Sequence, residues 1–554
     1  RTDLVNGTEG TLSHIIQMQP MVTAKMEGYG WTSWFYDDAV KEAGGSKDFD
    51  KTNFNGNFNL QWQITPQLKL EGAVNYDINH EFIRTYAPNA TLYAVETGSN
   101  GEQTIGKINT VESWIKESAQ QQSSLSSYAT LNYWFNIHED HHLKFLAGAQ
   151  QSEWKDKFYW TERKRLTADL PTLEVGDPTT QKNGGWESEV KSLSLFGRFN
   201  YDYKNKYLFE ANIRYDGSSK FATGHKWGTF PSFSTGWRIS EESFFKDNIS
   251  FVDNLKLRAS IGRMGDDNVE PYLWMMAFNY PGDDSYVLGD GSLIPGVGVP
   301  QIPNVNATWY TSTTKNLGID LSLWNAALTV EFDLFRRDRD GLLANRIVSV
   351  PGTFGATFAK ENINSDMQEG FELVLGHNGK VRDFSYQLRG NFTYTLNRNK
   401  YVESVPSGNS YDNWRNNTND RNSNILWMYQ ANGQFVSMDD IYNNPVLGGV
   451  YNKYSYLPGD IKYVDFNEDG MIDEWDMQPL MRNNTPIMNF GLTLSGQWKG
   501  LDLSMSFQGA SMFNARMNAS PLQWGGSAWD IFMDRWHKVC LLYTSDAADE
   551  ARSV

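Results

Sequence analysis

Strict two-residue alternation constrains the fold of this chain more than any other feature. From Asn53 to Ile64, the residues Phe54, Gly56, Phe58, Leu60, Trp62 and Ile64 are apolar or small, while Asn53, Asn55, Asn57, Asn59, Gln61 and Gln63 are polar. Successive side chains of an extended strand point to opposite faces, so the stretch reads as a strand with one greasy and one wet face. After the turn at Thr65, Pro66 and Gln67 the pattern returns, with Leu68, Leu70, Gly72, Val74, Tyr76 and Ile78 set against Lys69, Glu71, Asn75, Asp77 and Asn79. The two runs form a hairpin.

The unit recurs at 193–203 with 207–216, 125–137 with 143–150, 317–323 with 328–335, 371–377 with 384–395, and 489–498 with 501–509; lone strands fit 231–239 and 255–262. The total is about fourteen strands, many near the roughly 9 to 11 residues that a tilted strand needs to cross a bilayer. Connections inside a hairpin are short, whereas those between hairpins, at 79–124, 151–190, 263–316, 336–370 and 396–488, are long. Such asymmetry belongs to transmembrane barrels, with short periplasmic turns and long extracellular loops, and not to sandwiches, which turn tightly at both ends. Aromatics beside the short turns, at Trp62, Tyr133, Phe135, Tyr201, Tyr203, Tyr207 and Trp498, suit an interfacial girdle. The expected fold is therefore all-β, an antiparallel transmembrane barrel. Phe58, Leu60, Phe199, Phe209 and Ile213 should face lipid, and Asn59, Arg198 and Arg214 the lumen.

Composition narrows the chemistry. A net charge of -17 without a basic stripe excludes nucleic acid as a partner. The single cysteine, Cys540, excludes disulfide frameworks and Cys-rich zinc sites. No run of 18 apolar residues could form a membrane-spanning helix, and the first residues, RTDLVNGTEG, show no signal peptide. His138, His141 and His142 cluster at one short turn, but HExxH, GxSxG and P-loop patterns are absent from the sequence. The reading is of a non-enzyme.

Four stretches in order, DGSSKF at 216–221, FPSFSTGWRISEESFF at 230–245, LKLRASIGRMGDD at 255–267 and PGDIKYVDFNEDGMID at 458–473, resemble the SusC-like TonB-dependent transporters of the Bacteroidetes outer membrane. The resemblance runs from about Leu12 to Trp536. It implies a plugged, 22-stranded barrel, of which residues 1–538 are expected to form a partial wall, without the signal, the plug or the last strands. Residues 539–554, which hold Cys540 and show no strand pattern, read as a non-native tail. The resemblance also implies an outer-membrane location in a Gram-negative bacterium, contact with membrane lipid, coupling to the TonB complex through the plug, and a SusD-like surface lipoprotein over the long loops.

Two sets of residues are candidate sites. Trp274, Trp309, Trp414, Trp427, Trp524 and Trp529 lie outside the clean strands, where flat faces could stack on sugar rings or contact a peptide, although each could equally pack loop against loop. The Asn-rich run 413–424 adds amide and guanidinium groups, and reads equally as a solvated loop. Asp465, Asn467, Asp469, Asp473 and Asp476, with the Met471 carbonyl and Gly470, repeat the donor order of an EF-hand calcium loop, with Asp in place of Glu at the last position. Flanking helices are not evident, and solvated Asx turns explain the same residues. No cofactor is required, and calcium would stiffen a loop. The expected function is TonB-dependent import of a nutrient oligomer, an oligosaccharide first. The alternatives are peptide import by the same architecture, or a surface or secreted calcium-binding β domain for adhesion or glycan binding.

Overall fold

A computed structural model describes residues 25–32, 36–97, 103–276, 301–346, 356–423, 425–481 and 484–514, with short pieces between 278 and 296. Its frame is one antiparallel sheet of 14 strands. In chain order these are β1 (Ser46–Thr65), β2 (Leu68–Ala87), β3 (Trp114–Ile137), β4 (His141–Lys164), β5 (Lys182–Tyr203), β6 (Tyr207–Ser218) and β7 (Trp227–Arg238). They continue as β8 (Val252–Asp266), β9 (Tyr310–Leu323), β10 (Leu328–Ala344), β11 (Glu361–Val381), β12 (Phe384–Tyr401), β13 (Met488–Trp498) and β14 (Leu501–Ser511). Each pairs with its neighbour in sequence, so the wall is a simple meander.

The two ends of the wall differ as the unequal intervals between strands in the sequence predict. On one side the connections are 66–67, 138–140, 204–206, 239–251, 324–327, 382–383 and 499–500; on the other they are 88–113, 165–181, 219–226, 267–309, 345–360 and 402–487. Lys499 and Gly500 both take positive φ, 46° and 84°, the conformation that lets two residues reverse a right-twisted ribbon. The stretches 231–239 and 255–262, expected to be lone strands, are neighbours, β7 and β8. A turn containing two short helical pieces joins them, Ile239–Glu241 and Ser243–Lys246. Glu242 pins that turn to the wall, accepting from Tyr207 Oη at 2.7 Å, Lys206 Nζ at 3.1 Å and Trp237 Nε1 at 3.2 Å. These donors hold its carboxyl below the ordinary range.

The strands are also longer than alternation alone foretold. β3 and β4 each run 24 residues, which shrinks the expected 151–190 connection to 165–181. The reason lies on the outward face of β4. There Leu143, Phe145, Ala147 and Ala149 give way to Gln151, Glu153, Lys155 and Lys157, yet the ladder to β5 continues through Glu162. Above the apolar band the outward positions 151 to 157 are polar, so the greasy period fades there while hydrogen bonding persists.

Register sorts every strand into the two faces. Phe199, Ala211, Phe233 and Ile261 share one row on the greasy face, and Arg198, Asn212, Ser232 and Gly262 share one on the wet face. Phe58 is 67% exposed and Ile213 52%, values that a soluble β core would not tolerate and a lipid-facing surface requires. Near the short turns the greasy face carries a ribbon of rings: Tyr203 with Tyr207 at 6.2 Å, and Tyr207 with Trp237 at 6.5 Å. Buried apolar clusters lie instead toward the long connections, around Phe221, Val269, Leu273, Ala307 and Ala359, and around Phe435, Ile441 and Val446.

Candidate functional site

The wet face is a hydrogen-bonded lining. Asn132 donates to Glu71 at 3.2 Å, Asn212 to Glu210 at 2.8 Å, and Arg337 to Gln368 at 2.7 Å. Arg258 is its densest node, with Nε donating to both oxygens of Asp320 at 2.9 Å, and Nη1 and Nη2 to Asp333 at 3.1 and 3.0 Å. Gly318 makes room for this fork: a Cβ there would stand 2.6 Å from Asp333 Oδ1 and 2.7 Å from Arg258 Cζ. Arg198 and Lys144 line the same concavity, of about 840 Å³, beside Glu210 and Arg258. A face of both charges with many amides suits a hydrated, hydroxyl-rich or zwitterionic passenger, and equally a packed polar domain.

Above this wall, the 402–487 connection gathers an aromatic and arginine cluster. The Ser410–Asn416 helix starts at Asn409, whose side chain accepts from the Asp412 amide, and it presents Tyr411, Trp414 and Arg415. Trp414 meets Trp427 edge-on at 5.1 Å, and Tyr411 lies 4.5 Å from Trp475. Arg421 sits over Trp414 at 5.2 Å, and Arg415 over Trp427 at 5.8 Å, with Arg415 Nη1 also donating to the Glu474 carbonyl at 3.1 Å. Trp414 is 52% exposed, so a flat face remains for a ligand. Next to the cluster, burial and then the Asp473 carboxylate push the Tyr429 phenol above its ordinary value, which keeps it protonated.

The candidate tryptophans thus part company. Trp414 and Trp427 come together. Trp309 is taken up in packing, 5.4 Å from both Phe221 and Phe230, with Nε1 donating to the Lys226 carbonyl at 3.1 Å. Trp274 is half-buried, and its Nε1 has no hydrogen-bond partner among the described residues. Trp524, Trp529 and the 539–554 tail lie outside the described residues. Tyr411, Trp475, Arg415 and Arg421 are cluster members that reasoning on isolated tryptophans missed. Arg415 and Arg421 sat within the flagged Asn-rich run, whereas Trp475 was hidden inside the acidic loop.

That acidic loop is organised by its own amides. Asp476, 1% exposed, accepts from the amides of Phe466 at 2.7 Å and Asp473 at 2.8 Å. Asp465 accepts from Gly470 N at 2.8 Å, Asp469 from Met471 N at 2.9 Å, and Asp473 from Trp475 N at 2.8 Å. Asn467 accepts from the Asp469 amide at 3.1 Å and donates back to its carboxylate at 2.9 Å. The spacing leads one to expect carboxylates converging with the Met471 carbonyl. In the structure, no three His, Cys, Asp or Glu side chains among the described residues gather where they could share an ion. Turn formation engages each of these side chains through at least one oxygen, because the bonded amides lie only two to ten residues away.

Comparison with known proteins sets these features in a family. The model of the TonB dependent receptor-like β-barrel matches residues 5–516. TonB-dependent receptor P3 of Formosa agariphila is 26% identical over 486 residues, covering 86% of this chain and 46% of that protein. TonB-dependent receptor SusC of Bacteroides thetaiotaomicron is 27% identical over 456 residues, covering 79% of this chain and 43% of that protein. The chain thus spans under half the length of these relatives. Among solved structures, the RagAB peptide importer in its closed-closed state is similar with a TM-score of 0.67 at 18% identity, over 89% of this chain and 51% of that one. This last likeness is one of fold.

Proposed function

The chain belongs to the TonB-dependent receptor-like β-barrel family, outer-membrane proteins of Gram-negative bacteria, and from that premise we propose that it forms part of the wall of a nutrient importer whose cargo is an oligosaccharide. The family consists of transporters and receptors, not enzymes. The observation that carries the cargo reading is the Tyr411, Trp414, Trp427 and Trp475 cluster, with Arg415 and Arg421 against its rings, standing on the long-loop side of an amide-rich wall. Sugar rings offer apolar faces for stacking and hydroxyl edges for amide and guanidinium groups. Similarity to SusC supports coupling to TonB through a plug, and a SusD-like lipoprotein above the long loops.

Peptide import is the second reading, favoured by Lys144, Arg198 and Glu210 in one concavity, charges of both signs that suit a zwitterionic chain. Purified complete transporter titrated with oligosaccharides and with peptides of similar mass decides between the two. Saturable oligosaccharide binding that weakens three- to tenfold in Trp427→Ala supports the first reading, on the scale of one lost aromatic contact. Binding of peptide alone would replace it.

A calcium ion in the Asp465 loop is a separate proposal, supported by the donor order and by Asp465 Oδ1, a buried oxygen without a hydrogen-bond partner. Calorimetric titration of the complete transporter tests it, and no heat at millimolar calcium would retire the idea.

A further inference from the structure

The greasy face is interrupted between β6 and β10. One row across these strands reads Phe209, Thr235, Ala259, Leu317 and Leu334, and the next reads Ala211, Phe233, Ile261, Lys315 and Arg336. Thr235 and Ala259 are small, and Phe209, Phe233, Leu317 and Leu334 stand around them, which leaves an outward groove of about 790 Å³. The groove closes toward the long connections at Lys315 and Arg336, with Arg263 two residues beyond Ile261 on β8.

These cations are arranged unusually. Lys315 lies directly opposite Arg336, and like charges in that relation repel. Arg336 is compensated: it donates to Asp338 at 3.1 and 3.2 Å, and Glu369 faces it from β11. Asp338 and Asp340 are in turn engaged by Lys400, at 3.5 and 3.2 Å. Lys315 and Arg263, both exposed, have no carboxylate partner among the described residues. Two cations without a carboxylate partner among the described residues therefore stand at the outer rim of this outward groove.

We propose that this surface seats a phosphate-bearing lipid of the outer leaflet, its acyl chain lying over Thr235 and Ala259 and its phosphate between Arg263 and Lys315. A single anion there neutralises Lys315 and Arg263, which have no carboxylate partner among the described residues, while the chain fills a gap that loosely packed lipid would leave. A free anion would use the cations and leave the groove empty, and an uncharged lipid would do the reverse. The inference rests on the family's placement of the wall in the membrane and is independent of the cargo.

The complete transporter, purified in detergent, is to be titrated with phosphatidic acid, with diacylglycerol of the same chains and with inorganic phosphate, and bound lipid counted by native mass spectrometry. Phosphatidic acid is expected as one defined adduct, with diacylglycerol held at least tenfold more weakly and inorganic phosphate failing to displace the lipid. Arg263→Gln with Lys315→Gln should weaken phosphatidic acid about 25-fold, at about fivefold for each cation near a membrane surface, and Lys315→Arg should retain it. Ala259→Leu, which fills the groove, should weaken both lipids; heat-modified gel mobility checks that each variant folds, and Lys315→Gln alone serves if the double variant does not. Unchanged binding in the charge variants, equal retention of diacylglycerol, phosphate binding as tightly as the lipid, or a second copy of the transporter on this face would each overturn the proposal. Loss of cargo binding with the lipid adduct intact would count against the import reading and leave the lipid seat standing.

Discussion

The lower wall and the 402–487 connection obey opposite rules, though one chain builds both. In the wall, apolar side chains such as Phe58 and Ile213 point away from the protein, and stability comes from a ladder, interrupted only by a few bulges near strand ends, in which each strand satisfies its neighbour's backbone. In the connection, apolar side chains such as Phe435, Ile441 and Val446 turn inward to a small core, and short ribbons at Leu426–Met428 with Gln478–Met481 and at Ala431–Gln434 with Ile461–Tyr463 hold the segment. The wall is thus a lipid-solvated sheet, and the connection resembles a miniature water-soluble domain. A charge put in place of an exposed apolar side chain should be ruinous in the wall and nearly free in the connection.

The widest contrast is Phe199→Arg against Phe466→Arg. Phe199 lies midway along the greasy face of β5, 4.9 Å from Phe145, and arginine there should cost about 2 to 4 kcal/mol, read as a lower urea midpoint of the folded barrel. Phe466 is 58% exposed on the acidic loop, and arginine there should leave the midpoint within about 0.5 kcal/mol. Equal effects would erase the distinction between the two regions.

Asp476→Ala should act next, and locally. The buried carboxylate satisfies the amides of Phe466 and Asp473, and their loss costs on the order of 1 to 3 kcal/mol. Faster proteolysis within 402–487, at an unchanged barrel midpoint, is the expected outcome. Cleavage at the wild-type rate would show that the loop does not depend on its amide ties.

Arg258→Ala probes the wall from inside. Removing the fork leaves Asp320 and Asp333 facing each other without their cation, and because the group is about a third exposed the cost should stay near 1 to 2 kcal/mol after solvent screening. Gly318→Ala should mimic it, since the added carbon meets the same fork. A Gly318→Ala barrel as stable as wild type would mean that the fork can move aside.

The smallest effect belongs to Glu242. Its carboxyl is depressed in the folded state, so its contribution is full above the ordinary carboxyl range and fades as pH falls through the depressed value. Glu242→Gln should therefore matter at neutral pH and become indistinguishable from wild type in acid, as followed by tryptophan fluorescence of the short-turn side. A difference that grows on acidification would reverse the sign.

The same contrast explains what the sequence disclosed. Strand count, hairpin pairing and face assignment were legible because lipid on one side and polar lining on the other impose a period of two, as in Phe54 to Ile64. The upper halves of β3 and β4 were not, because around Gln121, Gln122 and Ser123 both faces are polar and the period disappears. The loop cluster was half legible: tryptophans outside strands stood out, but whether one stacks openly, like Trp414, or packs like Trp309 depends on contacts between segments far apart in sequence. The acidic loop shows the limit of spacing. Asp465 to Asp476 carries a calcium loop's donor order, and the structure shows the oxygens bonded to nearby amides.

The central claim, that adjacent residues of one strand face lipid and lumen, is tested most directly by single cysteines in the complete transporter, in a background without other cysteines. Arg198→Cys should react with a small membrane-impermeant thiol reagent, and a fluorophore at Phe199→Cys should be quenched by a lipid-resident quencher and not by an aqueous one. Aqueous labelling of position 199 together with lipid quenching at position 198 would contradict the account.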